Sequence, residues 1–167
     1  MILLGIDPGL AHTGYGLIEA NYPAFTLLDY GVISTNAKTE SPYRLKHIHD
    51  CLVSLVLQYQ PDVLVLEDVF FNRNVSSALL VGEARGIAKL VAANNARQVY
   101  SYTPAQVKQA IVGYGNANKH QVQEMVKILL NLDEIPRPDH AADALALAIC
   151  YARSHKVIAL QERYRNP

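Results

Sequence analysis

Two short apolar runs, Ile2–Ile6 and Val63–Leu66, each end directly on acid: Asp7 closes the first and Glu67-Asp68 the second. Apolar runs of this length, rich in Val, Ile and Leu, read as strands buried on both faces. Such strands need helices over both sides of the sheet, so the class is α/β. A carboxylate at the end of a core strand is costly unless it is solvated, paired or bound to a metal. Asp7 before Pro8-Gly9 also suits a plain turn, and Glu67-Asp68 a solvated strand exit. The repetition of the pattern favours a site, because in open α/β sheets sites collect at strand ends.

The rest of the chain supplies the other elements in order. Thr13–Ile18 pairs back on the first strand as a hairpin with Asp7 near its turn, and Phe25–Ile33 is a third, antiparallel strand. Ser41-Pro42 reads as cap and first turn of a helix carrying Leu45, Ile48, Leu52, Leu55, Val56 and Tyr59 at helical spacing. Pro61-Asp62 ends it, and Val63–Leu66, the most apolar strand, is expected at the sheet centre. Ser76 or Ser77 caps a long helix reaching about Asn94, with apolar and small residues nearly all round. Such a helix is either deeply buried or buried on one side and used in a subunit interface on the other. Gln98–Tyr102 is the fifth strand, Thr103-Pro104 starts a helix to about Val112, and Asn118 caps another from Lys119 to about Asn131. Ala141 to about Arg153 is the last strong helix. The expectation is one domain over 1–153, a five-stranded mixed sheet with its first three strands antiparallel and helices on its flanks. Residues 154–167 are a more polar, loosely held tail.

Charge adds a polarity along the chain. From Met1 to Val69 there are eight acids and three bases; from Phe70 to Lys127 there are seven bases and two acids. That suits a metal-binding first part and a phosphate-binding middle, although ordinary solvated helix faces would look the same. No apolar run is long enough to span a bilayer, and the N-terminus lacks a basic leader, so no membrane or export role is expected. Cys51 and Cys150 read as free thiols of a cytosolic protein.

A third acidic position lies near the C-terminus. Asp143 sits among Ala141, Ala142, Ala144, Leu145 and Leu147, where a charge needs a partner. His140, three residues earlier, shares its helix face. Asp139 is well placed as the helix N-cap. Asp7, Glu67 and Asp143 with one imidazole form a donor set suited to Mg²⁺ or Mn²⁺. Two such ions roughly 4 Å apart hydrolyse phosphodiesters without a nucleophilic side chain. Phe70 and Phe71 are either core packing or a platform for a base, with Arg73 beside them for phosphate. Lys108 and Lys119 flank the loop Gly113–Asn118, which is either a phosphate contact or a simple interhelix turn.

Together these stretches resemble one family. Gly5-Ile6-Asp7-Pro8-Gly9 with Thr13-Gly14-Tyr15-Gly16, Leu66-Glu67-Asp68-Val69-Phe70, Gly82-Glu83-Ala84-Arg85-Gly86, Thr103-Pro104 and His140-Ala141-Ala142-Asp143-Ala144-Leu145 look like the RuvC Holliday junction resolvases, over about Met1 to Ala152. The resemblance implies a ribonuclease H-like fold and a homodimer. It implies Mg²⁺- or Mn²⁺-dependent paired nicking of four-way junction DNA, leaving 5′-phosphate and 3′-hydroxyl ends, beside the RuvA–RuvB machine in the cytoplasm. It places Asp7, Glu67 and Asp143 as catalytic acids and metal ligands. His140 falls at the fourth position, where many members have Asp and some His; its role as ligand or proton shuttle stays open, and Asp139 competes for it. It also assigns DNA contacts to Phe70, Lys108 and Lys119, and the dimer interface to the helix over 76–94.

Three other classes share part of this pattern. An actin-like ATPase opens on a similar glycine-rich hairpin but needs two large lobes. A ribonuclease H-like nuclease acting on RNA–DNA hybrid would carry the same acids. A junction-binding module without catalysis would have lost them.

Overall fold

The computed structural model describes residues 1–21, 23–68 and 75–165, with 75–77 and 156–165 described as backbone only. Strands β1 (Ile2–Asp7), β2 (His12–Asn21) and β3 (Ala24–Ser34) precede helix α1 (Ser41–Tyr59). Then come β4 (Val63–Glu67), α2 (Val75–Asn94), β5 (Gln98–Tyr102), α3 (Pro104–Val112), α4 (Lys119–Leu129) and α5 (Asp139–Arg165). The five strands form one sheet in the order β3-β2-β1-β4-β5. β1, β2 and β3 pair antiparallel, whereas β4 joins β1 and β5 in parallel. The middle strand is therefore β1, with β4 beside it. Both are apolar up to the acid that closes them, and hydrophobicity alone does not rank two strands that are each covered on both faces.

Alternation along the strands divides the core into two layers. Leu3 of β1, with Val63 and Val65 of β4, packs under Val107, Ile111, Val122, Val126, Leu145 and Ile149 of α3, α4 and α5. Leu4, Ile6, Leu64 and Leu66 face the other way, onto Ile48, Leu52 and Val56 of α1 and Ala84, Ala88 and Val91 of α2. By the same alternation Asp7 and Glu67 continue the α5 face, one step beyond the registered pair Ile6–Leu66.

Glycines let α5 lie almost on the sheet. A Cβ at Gly5 would fall 1.9 Å from the Ala144 carbonyl oxygen, and one at Gly14 would fall 2.0 Å from that of His140. No other residue fits at either position, and this contact carries the first turns of α5 over the ends of β1 and β2.

Side-chain caps explain two of the helix starts. Thr103 and Gln106 form a reciprocal capping box on α3, and Asn118 and Gln121 form another on α4. Ser41 differs from expectation. It is the first helical residue, Glu40 takes the cap position without a side-chain bond, and the Ser41 hydroxyl lies 3.5 Å from Glu83 Oε2. Helix α5 also continues to Arg165 rather than stopping near Arg153. The polar composition after Arg153 does not break a helix, and no Gly or Pro occurs there before Pro167.

Candidate active site

Asp7, at the end of β1, accepts a hydrogen bond from His140 Nδ1 at 2.7 Å. His140 and Asp143 stand one turn apart on α5, held over β1 and β2 by the glycine contacts. One donor atom each from Asp7, His140 and Asp143 lie within 4.8 Å of one another. Glu67 completes the acidic surroundings from β4: it lines a cavity of about 200 Å³ together with Asp7, Asp143, Lys108 and Lys119. Three of the four expected acid and imidazole positions thus converge on a single point, and the fourth borders the same cavity. Asp139 stands outside the cluster.

Electrostatics mark the cavity as a place where negative charge is crowded. Burial pushes the Glu67 carboxyl up to about 7, and the nearby Asp7 and Asp143 carboxylates add to the effect. Burial also raises Asp143, against the pull of Lys119, whose Nζ lies 3.0 Å from Asp143 Oδ2. Lys119 also reaches Asp139 at 3.3 Å. Although desolvation opposes its charge, its hydrogen bonds to Asp143 and Asp139 outweigh that and raise its pKa. The partner that Asp143 needs is therefore Lys119, at the start of α4.

Asp139 does not act as the expected helix cap. It is the first residue of α5, and its carboxylate pairs with Arg137 and Lys119. The Ala141 amide donates instead to the Pro138 carbonyl at 2.9 Å. Lys108 and Lys119 both line the cavity, on opposite sides of the Gly113–Asn118 loop. Phe70 and Arg73 lie outside the described residues, whereas α2 already begins at Val75, so Ser76 and Ser77 are helical residues and not its cap.

Two residues near the site carry no role in the sequence reading. His12, at the start of β2, stacks on His140 with ring centroids 5.9 Å apart. Arg85, on α2, binds the end of β4 through Glu67 and Asp68. Arg85 had a usable signal, since a guanidinium between Ala84 and Gly86 on a small-residue helix must find a partner. His12 had none, being an exposed residue beside a turn.

The chain is similar to known proteins over nearly its whole length. Residues 3–151 match the family model described as crossover junction endodeoxyribonuclease RuvC. The chain is 53% identical over 154 residues to the RuvC of Alkaliphilus metalliredigens, covering 92% of this chain and 94% of that one. It is 54% identical over 154 residues to that of Alkaliphilus oremlandii, with the same coverage. Among solved structures, Thermus thermophilus RuvC in complex with a Holliday junction substrate superposes with a TM-score of 0.91 at 36% identity, over 94% of this chain and 96% of that one. The mixed sheet with its flanking helices is the ribonuclease H-like fold of these neighbours. On a family match spanning nearly its whole length, the chain belongs to the RuvC family of crossover junction endodeoxyribonucleases.

Proposed function

We propose that this chain resolves four-way DNA junctions as a homodimer, nicking two opposed strands by metal-dependent phosphodiester hydrolysis and leaving 5′-phosphate and 3′-hydroxyl ends. The work belongs to recombination and repair in the cytoplasm, beside a RuvA–RuvB complex. The observation that carries this reading is the meeting of Asp7, His140 and Asp143 within 4.8 Å at the strand ends. Carboxylate oxygens with one imidazole fit Mg²⁺ or Mn²⁺, and membership of this family carries a divalent-metal requirement. Asp7, Glu67, His140 and Asp143 would hold two ions per site. When bound, the ions supply an activated water and stabilise charge on the leaving oxygen.

The chain's own residues do the rest. The His140 Nδ1–H donates to Asp7, which leaves Nε2 free to accept a cation or a proton. Burial and two neighbouring carboxylates disfavour the Glu67 charge, and cation binding relieves that strain. Lys119 reaches both the acids and the cavity, so its flexible stem suits a phosphate oxygen there, as does that of Lys108. Phe70 and Arg73 are assigned to the junction strands by the same reading.

The homodimer is supported by α2. Its inner side buries Ala84, Ala88, Val91 and Ala92, while Leu79, Leu80 and Leu90 are exposed. Gly82 and Gly86 face open space, so a second helix can approach closely. A symmetric pair through this face would present two sites to opposite strands.

The test is cleavage of a synthetic mobile four-way junction with Mg²⁺ or Mn²⁺, beside matched linear duplex and RNA–DNA hybrid. Paired nicks on the junction that a ligase can seal are the expected result. Cutting of the hybrid in place of the junction would move the substrate while keeping the site.

A further inference from the structure

We infer that Arg85 is a positioning residue that holds Glu67 in its catalytic orientation from the opposite face of the sheet. The inference rests on Glu67 being a catalytic acid. The Arg85 guanidinium is mostly buried and is shared between three groups. Its Nε donates to the Glu67 carbonyl oxygen at 3.1 Å, and its Nη2 donates to Asp68 Oδ1 at 2.7 Å and to Ser101 Oγ at 2.8 Å. The Asp68 amide donates in turn to the Tyr102 carbonyl at 2.9 Å. The Glu67 carbonyl and the Asp68 amide belong to one peptide unit, so both of its polar ends are held, one by α2 and one by β5.

That peptide decides where the Glu67 side chain points. Consecutive strand residues face opposite sides. Arg85 draws Asp68 toward α2, which keeps Glu67 on the α5 face with Asp7 and Asp143. Without Arg85 the last peptide of β4 keeps only the bond from the Asp68 amide to the Tyr102 carbonyl, and the acid moves with any rotation about that single tie. The α2–β4 packing itself does not need Arg85, because Ala84, Ala88 and Val91 already cover Leu64 and Leu66. Lysine is a poor substitute, since one ammonium cannot reproduce a fork that binds a carbonyl, a carboxylate and a hydroxyl together.

The experiment uses the full chain with Arg85→Gln, Arg85→Lys, Asp68→Asn and Glu67→Gln. It measures Mn²⁺ binding by electron paramagnetic resonance with the metal alone, junction affinity without divalent metal, and single-turnover junction cleavage. Arg85→Gln is expected to weaken Mn²⁺ binding and to slow cleavage, each by about 10- to 100-fold. Junction affinity should stay within about twofold. Arg85→Lys should recover part of the loss through the restored charge opposite Asp68. If Arg85→Gln does not fold, Asp68→Asn is read by the same criteria, with an effect of about fivefold expected. Unchanged Mn²⁺ binding and cleavage, even with a lowered melting temperature, would overturn the inference and leave Arg85 as a brace for the fold. Glu67→Gln separates the two ideas. If it abolishes cleavage while the Arg85 variants are neutral, only the clamp fails; if it is itself neutral, the reading of Glu67 fails and takes the clamp with it.

Discussion

At the end of β4 two consecutive carboxylates look out on opposite sides of one sheet. Asp68, on the α2 side, meets the Arg85 guanidinium at 2.7 Å. Glu67, on the α5 side, meets burial and two more carboxylates, and its pKa rises to about 7. The fold therefore neutralises one acid with its own cation and crowds the other among like charges. A stable scaffold alone gives no reason for the second arrangement. It fits a place where charge is supplied from outside, by a divalent ion. Neighbours in sequence, alike in chemistry, are thus divided into a paired and a crowded member by the alternation of a strand.

The largest expected effect contrasts the two acids directly. Glu67→Gln should reduce junction cleavage by at least about a hundredfold, while Asp68→Asn should slow it by about fivefold at most. Stability should respond in the opposite sense. Asp68→Asn is expected to cost about 1 kcal/mol by weakening a half-exposed ion pair, and Glu67→Gln to leave the metal-free protein as stable or more so. Chemical denaturation beside single-turnover cleavage checks both, and equal effects on cleavage would dissolve the distinction.

A second test moves the helix that carries His140 and Asp143. Gly14→Ala would push a methyl group against the His140 backbone and should destabilise the fold by about 3 kcal/mol. Melting the variant measures it, and a loss below about 1 kcal/mol would show that α5 shifts easily.

The pH dependence is smaller and has a definite sign. Glu67 binds its proton more tightly in the folded state, so its contribution to stability is full below about pH 4.5 and is lost as pH rises through about 7. Allowing for its partial exposure, the difference is about 2 kcal/mol. The metal-free protein should lose that much relative to Glu67→Gln across the window, as followed by urea midpoints, and saturating Mn²⁺ should remove the difference. A flat comparison would mean that Glu67 is not crowded as described.

The smallest effect concerns Lys119. Lys119→Ala should weaken junction binding and lower the slope of log affinity against log salt by about one unit. An unchanged slope in a salt titration would confine Lys119 to its pairing with Asp139 and Asp143.

The strands and the acids were legible because their signals are local. Period-two burial and a carboxylate closing an apolar run survive in any single sequence, and so Asp7 and Glu67 stand out. Asp143 stands out as a charge among alanines and leucines. Strand order was less legible, since β1 and β4 are both apolar and pairing is a property of the whole sheet. The Arg85 clamp depends on contacts 16 to 18 residues away, which no local pattern contains. The assignment of Asp139 as a cap failed for a similar reason. Lys119 and Arg137 compete for its carboxylate, and they come from outside the helix.

The most direct measurement of the central claim is Asp7→Asn assayed on the same four-way junction for binding and for cleavage, with Mg²⁺ or Mn²⁺ present. The account predicts junction affinity within about twofold of the unaltered chain and cleavage lowered by at least about a hundredfold. Cleavage at nearly the unaltered rate would contradict it, because the acids at the strand ends would then not be the site of the chemistry.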